Sequence, residues 1–113
     1  MLITILKSKI HMATVTDTQL YYEGSIGIDK ELMEGAGLAA GEKVQVLNFN
    51  NSNRFETYVI EGGKGEISLR GPAAKLGKKG DKLIILSYGI IEQEEAKRTK
   101  PKIIFLNERN EIK

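Results

Sequence analysis

Val44-Gln45-Val46-Leu47-Asn48-Phe49, Asn50-Asn51-Ser52-Asn53 and Arg54-Phe55-Glu56-Thr57-Tyr58-Val59-Ile60 follow one another without a break. The last run sets Phe55, Thr57 and Val59 against Glu56, Tyr58 and Ile60, a period of two. That is the repeat of a strand, whose successive side chains point to opposite faces. The middle run is a strong turn signal, because short amide side chains bond to their own backbone and tolerate the left-handed region. Strand, turn and strand together predict a β-hairpin.

Working outward, the same punctuation recurs every eight to twelve residues, which is an all-β pattern. Upstream, Leu2–Leu6 reads as a strand, Ile10–Thr16 as extended chain and Ile26–Ile28 as a short strand. Asp29 can cap a helix of one or two turns over Lys30–Glu34, with Gly35 and Gly37 ending it in the left-handed region. Downstream, Gly62-Gly63-Lys64-Gly65 turns the chain and Glu66–Leu69 is a short strand. Gly71–Gly77 fits a single helical turn with Pro72 at its first position. Leu83–Tyr88 is the most apolar strand and is predicted to be buried on both faces. Glu92–Lys100 is a charged connection with room for a helical turn, Ile103–Leu106 is the last strand, and Asn107–Lys113 is a polar tail. Six or more short strands with two small helices predict a mainly β fold, a closed or nearly closed small barrel, in one domain over residues 1–113.

Composition removes several kinds of chemistry. The chain of 113 residues has no cysteine and one histidine, His11. Disulfides, thiolate nucleophiles, cysteine zinc sites and multi-histidine metal sites are therefore excluded. Seventeen Lys+Arg against fifteen Asp+Glu leave a net charge of +2, too mild to argue for nucleic acid. The lysines at 75, 78, 79 and 82 are interrupted by Asp81 and lack interleaved aromatics, so they read as a solvated face. The glycine clusters lack the Gly-Lys-Ser/Thr ending of a phosphate loop. No run approaches the roughly 18 apolar residues of a membrane span. The opening apolar run is too short for a signal peptide, and the expected compartment is the cytoplasm.

Gly24-Ser25 by itself is an ordinary bend between strands. Its surroundings change that reading. Lys7-Ser8-Lys9-Ile10-His11-Met12-Ala13-Thr14-Val15-Thr16 is followed by Leu20-Tyr21-Tyr22-Glu23-Gly24-Ser25-Ile26-Gly27-Ile28-Asp29. A second block is Gly41-Glu42-Lys43-Val44 with Asn53-Arg54-Phe55-Glu56-Thr57-Tyr58, and a third is Gly71-Pro72-Ala73-Ala74-Lys75-Leu76 with Gly80-Asp81. These blocks, spread over residues 1–106, resemble the pyruvoyl-dependent aspartate 1-decarboxylases.

The resemblance implies a double-psi β-barrel that assembles as a homotetramer with active sites between subunits. It implies a precursor that cuts its own backbone between Gly24 and Ser25, giving fragments 1–24 and 25–113. The Ser25 hydroxyl lies next to the preceding carbonyl, so an N-to-O acyl shift makes an ester. Gly24 carries no side chain to block the attack or the strained turn it requires. Elimination and loss of ammonia then leave a pyruvoyl group at position 25. That ketone forms a Schiff base with L-aspartate and acts as the electron sink for decarboxylation to β-alanine and CO2, with neither metal nor pyridoxal phosphate. The product would feed pantothenate and coenzyme A synthesis, and the resemblance allows for an accessory maturation protein.

The matching positions carry implied roles. Tyr58 is the proton donor and Thr57 assists processing. Arg54 and Lys9 grip the carboxylates of the substrate, a task that suits a guanidinium fork. His11, Tyr22, Gly71, Pro72 and Ala73 line the substrate site. One position departs: Arg70 stands where the family usually has asparagine, and Pro72 replaces the usual alanine. An arginine is larger, accepts no hydrogen bond and is expected to bring a third cation to the pocket. Two alternatives follow from it: the same chemistry on another acidic amino acid such as glutamate, and a barrel that never cleaves and serves as a binding module.

Overall fold

A computed structural model describes residues 1–113. Its strands are β1 (Leu2–Thr14), β2 (Asp17–Gln19), β3 (Ser25–Asp29), β4 (Lys43–Asn48), β5 (Arg54–Gly62), β6 (Ile67–Arg70), β7 (Lys82–Glu92) and β8 (Lys102–Phe105). Two short helices, α1 (Lys30–Ala36) and α2 (Gln93–Ala96), and a 3-10 turn over Gly71–Lys75 complete it. The strands join in the order β2-β6-β3-β5-β4-β7-β1-β8. The architecture is mainly β and is consistent with a double-psi barrel, although hydrogen bonds do not close the sheet. Nineteen buried residues, drawn from seven of the eight strands, α1 and the segments beside them, form one core cluster.

The hairpin that opens the sequence reading forms as β4 and β5, antiparallel, with Val44 opposite Thr57 and Val46 opposite Phe55. Its turn is built from amide side chains. Asn50 N donates to Asn48 Oδ1 at 2.9 Å and Asn53 N to Asn51 Oδ1 at 2.8 Å. Ser52 takes the left-handed conformation, with φ of 65°.

Three expectations need correction. Leu2–Leu6 and Ile10–Thr16 are not separate: β1 runs through both, and two register shifts, at Leu6/Ser8 and His11/Ala13, let it bend without ending. Met12 takes up the second shift with φ of 66°, a bulge rather than a break. Helix α1 ends at Gly37, with φ of 71°, and Gly35 lies inside it. The apolar strand β7 is longer than the run that announced it. Leu83, Ile85, Leu86 and Ser87 are buried, but Ile84 is only half-buried and Tyr88 and Ile90 are exposed, so one face is open along the second half.

The polar tail is also not loose. Leu106 and Ile112 form a β-bridge, and Asn110 is 3% exposed. The Asn110 side chain accepts from Thr14 N at 2.7 Å and donates to Thr14 O and Gly65 O, each at 2.9 Å. Asp29 caps α1 by accepting from Glu31 N at 2.8 Å, and its other oxygen accepts from Gly65 N at 2.7 Å. The C-terminal end of β3 is thereby tied to α1 and to the turn before β6.

Candidate active site

Strand β3 is the centre of the site. It pairs antiparallel with β6, Ser25 opposite Arg70, and parallel with β5, Ile26 beside Val59. This register puts Ser25, Tyr58 and Arg70 on one face of three adjacent strands. All three line one cavity of about 450 Å³, with Tyr21, Tyr22, Glu23 and Ile60. A second cavity of about 320 Å³ is lined by Gly24, Phe55, Glu56, Thr57, Tyr58, Pro72, Ala73 and Leu76. Gly24 therefore faces one cavity, Ser25 the other, and Tyr58 lines both.

Ser25 is buried, and its Oγ donates a long hydrogen bond of 3.4 Å to Glu23 O. The preceding segment, Leu20–Gly24, has no regular structure. Tyr22 is half-exposed and Tyr21 stands almost wholly in solvent. Gly71 presses on this segment. With φ of +68° and a Cβ position 2.5 Å from Tyr22 O and 2.8 Å from Gly24 N, it leaves no room for a side chain. Gly24 itself differs from expectation. Its φ is not in the left-handed region, and a Cβ there would meet only Pro72 Cδ, at 3.5 Å. Neither space nor backbone strain demands glycine at 24.

Arg70 is not the free third cation that its position in the sequence predicts. Its Nη2 donates to Glu66 Oε2 at 3.0 Å and its Nε to Ser68 Oγ at 3.3 Å. Ser68 Oγ in turn donates to Glu66 Oε2 at 2.6 Å. The guanidinium lies 5.0 Å from the centre of the Tyr22 ring, within cation–π range. Burial raises the Glu66 pKa, but the Ser68 hydroxyl, the Gly63 amide and the Arg70 guanidinium outweigh it and hold the carboxyl below the usual glutamate range. Gly27, opposite Ser68 on β3, makes room for the group: a Cβ there would lie 2.6 Å from Glu66 Oε2 and closer still to Ser68 Oγ. Glu66, Ser68 and Gly27 were not singled out from the sequence. Their signal was the polar alternation at 66, 68 and 70, one face of a strand.

Lys9, His11 and Arg54 line neither cavity. Lys9 is half-buried on β1, in register with Leu86 of β7 and Ile103 of β8. The strands β5, β4 and β7 separate β1 from β3. His11 packs edge-on against Phe105, ring centres 5.5 Å apart, and its buried Nδ1 has no hydrogen-bond partner. Arg54 is exposed at the start of β5, opposite Leu47. No group of three His, Asp or Glu side chains is placed to hold a metal, and no helix is long and apolar enough to cross a membrane. The largest cavity, about 520 Å³, lies elsewhere, between α1 and the C-terminal segment, and is mostly polar.

Comparison with known proteins gives one answer. A family model described as aspartate decarboxylase matches residues 1–113. An aspartate 1-decarboxylase of Acetivibrio thermocellus is 57% identical over 99% of this chain and 90% of its own length. One of Caldicellulosiruptor saccharolyticus is 57% identical over 99% of this chain and 89% of its own. One of Leptospira biflexa is 49% identical over 100% of this chain and 98% of its own.

Proposed function

The chain belongs to the aspartate decarboxylase family, and from that premise we propose that its working group is a pyruvoyl made from Ser25 by cleavage of the Gly24–Ser25 bond. It is a decarboxylase that converts L-aspartate to β-alanine and CO2. The cleaved protein consists of residues 1–24 and 25–113.

One observation carries this reading: the Gly24–Ser25 bond lies between two cavities, with the Tyr58 phenol on the wall of both. A keto group at position 25 fits the space, because Ser25 is buried at the edge of a cavity wide enough for a small amino acid. When formed, the pyruvoyl supplies the electron sink that lets an α-carboxylate leave as CO2. The chain's own residues do the rest. Tyr58 holds the proton returned to the substrate carbon. Thr57 lies on the Gly24 side and assists the acyl shift, while Pro72 and Ala73 close that wall.

Arg54 and Lys9 hold the two carboxylates of the substrate, with His11 and Tyr22 at the margin. Because Lys9 and His11 lie beyond three intervening strands, a neighbouring subunit of a homotetramer supplies them. The enzyme works in the cytoplasm, for pantothenate synthesis, and a maturation protein speeds the cut where it is slow.

Intact mass spectrometry of the denatured protein tests the reading. The expected result is two fragments split after Gly24, the larger lighter by one ammonia than its sequence mass. A chain that stays whole on prolonged warming and after incubation with cell extract overturns the pyruvoyl. Release of γ-aminobutyrate from glutamate in preference to β-alanine from aspartate overturns the substrate.

A further inference from the structure

We propose that Arg70 is a positioning residue for the backbone cleavage, holding Leu20–Gly24 against β6 through the Tyr22 ring in the pose from which Ser25 attacks. The inference rests on the pyruvoyl reading. In the step concerned, Ser25 Oγ bonds to the Gly24 carbonyl carbon and the Gly24–Ser25 C–N bond breaks. The hydroxyl proton ends on the freed Ser25 nitrogen, and no other reactant enters. The attack needs the carbonyl carbon held near Oγ in one orientation, and a mobile approach segment spreads that population.

Little else restrains the segment. None of the backbone hydrogen bonds outside the strands and helices involves Leu20 to Gly24. No side chain of that segment donates or accepts a side-chain hydrogen bond; its one polar contact is Glu23 O accepting from Ser25. Two features press on it: the Gly71 backbone beneath Tyr22 and Gly24, and the Arg70 guanidinium 5.0 Å from the Tyr22 ring.

Arg70 is itself built in. Glu66 and Ser68 take two of its nitrogens along the strand, and the bare Cα of Gly27 leaves the space in which they meet. This arrangement also separates positioning from substrate binding. With Glu66 paired at 3.0 Å, the charge of Arg70 is directed to the carboxylate just before its own strand. To grip a substrate carboxylate as well, Arg70 would have to share its charge with Glu66. A planar cation stacked on an aromatic ring needs only its face, which the Glu66 and Ser68 bonds leave open.

The test follows cleavage by intact mass in R70A, R70K, Y22F, Y22L and the double variant R70A/Y22L. Cation–π strength at a half-exposed ring predicts that R70A and Y22L slow cleavage roughly five- to tenfold and Y22F stays within about twofold, while R70K falls between, because an ammonium keeps the charge but not the planar fork. The double variant should be no slower than the slower single one. The loss should fall on cleavage and not on the KM of the matured R70A fraction for L-aspartate. Parental cleavage with a KM raised tenfold or more would make Arg70 a substrate group and overturn the proposal. So would equal slowing by R70K and R70A. If the parent chain itself never cleaves, the pyruvoyl reading fails first, and amide exchange in the uncleavable S25A background decides the tether. There R70A should speed exchange at residues 20–24 roughly fivefold, and unchanged exchange overturns the tether too.

Discussion

Replacing Gly27 by alanine tests the packing that holds Arg70. The added Cβ would stand 2.6 Å from Glu66 Oε2 and nearer still to Ser68 Oγ, both inside van der Waals contact. Ser68 is 1% exposed and short, so it can only turn its hydroxyl away. Glu66 is the end of a flexible chain and can swing out, but only by leaving Ser68 and Arg70. The cost is then the loss of hydrogen bonds to a charged group, about 1.5–3 kcal/mol. A strand shift instead would cost about 1–3 kcal/mol for overpacking. The cheaper route sets the result, so Gly27→Ala should destabilise by about 2 kcal/mol. For a domain of this size that is a fall in Tm of roughly 6–10 °C. The measurement is thermal unfolding in the S25A background at one fixed protein concentration, because any self-association would link stability to concentration. The same substitution beside Ser68→Ala removes the nearest atom and should cost about half as much, a coupling that a double-mutant cycle reads directly. A fall below about 2 °C in Tm, or an equal cost with and without Ser68, would refute the reasoning.

Other outcomes follow from the same geometry. Gly71→Ala must place its Cβ against Tyr22 O and Gly24 N, which are backbone atoms that cannot step aside, and it must also hold φ of +68°. Cleavage of that variant should fall by at least tenfold, read by intact mass; parental cleavage would show that Gly71 is only a turn residue. Asn110→Ala leaves Thr14 N, Thr14 O and Gly65 O without their partner, and at about 1 kcal/mol for each bond should destabilise by roughly 2–4 kcal/mol in denaturant unfolding. Acid should loosen the fold through Glu42 and Glu66. Burial raises both carboxyls, but Lys7 and the Ala39 amide lower Glu42, and Ser68, Gly63 and Arg70 lower Glu66, so both end below the ordinary 4.5. A depressed folded value means stability that is fully present above the unfolded value and lost as pH falls through the folded one. The denaturant midpoint should therefore stay level above about pH 5 and fall below pH 4.5, and Glu66→Gln should shrink that fall.

The strands were legible because their signal is local. Phe55, Thr57 and Val59 face one way, the amides at Asn48–Asn53 turn the chain, and Asp29 sits where a cap must sit. The misreadings involve partners distant in sequence. β1 continues through Lys7-Ser8-Lys9 because β7 pairs with it on both sides of a bulge, and nothing near Met12 announces φ of 66°. Asn107–Lys113 looks like a solvated tail until Asn110 meets Thr14 and Gly65, which lie 96 and 45 residues away. β2 escaped notice because three residues carry no period, and its only neighbour is β6. The polar face of Glu66, Ser68 and Arg70 was visible as an alternation, but its meaning depends on Gly27 lying opposite, and a register cannot be read from one strand.

The candidate site divides along the same line. Ser25, Tyr58, Thr57, Tyr22, Pro72 and Ala73 meet around one bond because β5 and the turn after β6 flank β3. Their chemistry supplies a hydroxyl, a phenol and a shaped space, yet it lacks positive charge. The walls around Gly24 and Ser25 carry Glu23 and Glu56, and the one cation among them, Arg70, is paired with Glu66. A substrate with two carboxylates cannot rest there on these groups alone, since each carboxylate would give up water for no opposite charge. The missing cations have to come from outside these two cavities. Arg54 at the exposed start of β5 and Lys9 on β1 are the cations the family pattern offers, and neither lines the cavities. The electrostatics of one chain are thus in keeping with the proposed second copy, which would bring positive charge to the mouth of the Ser25 cavity.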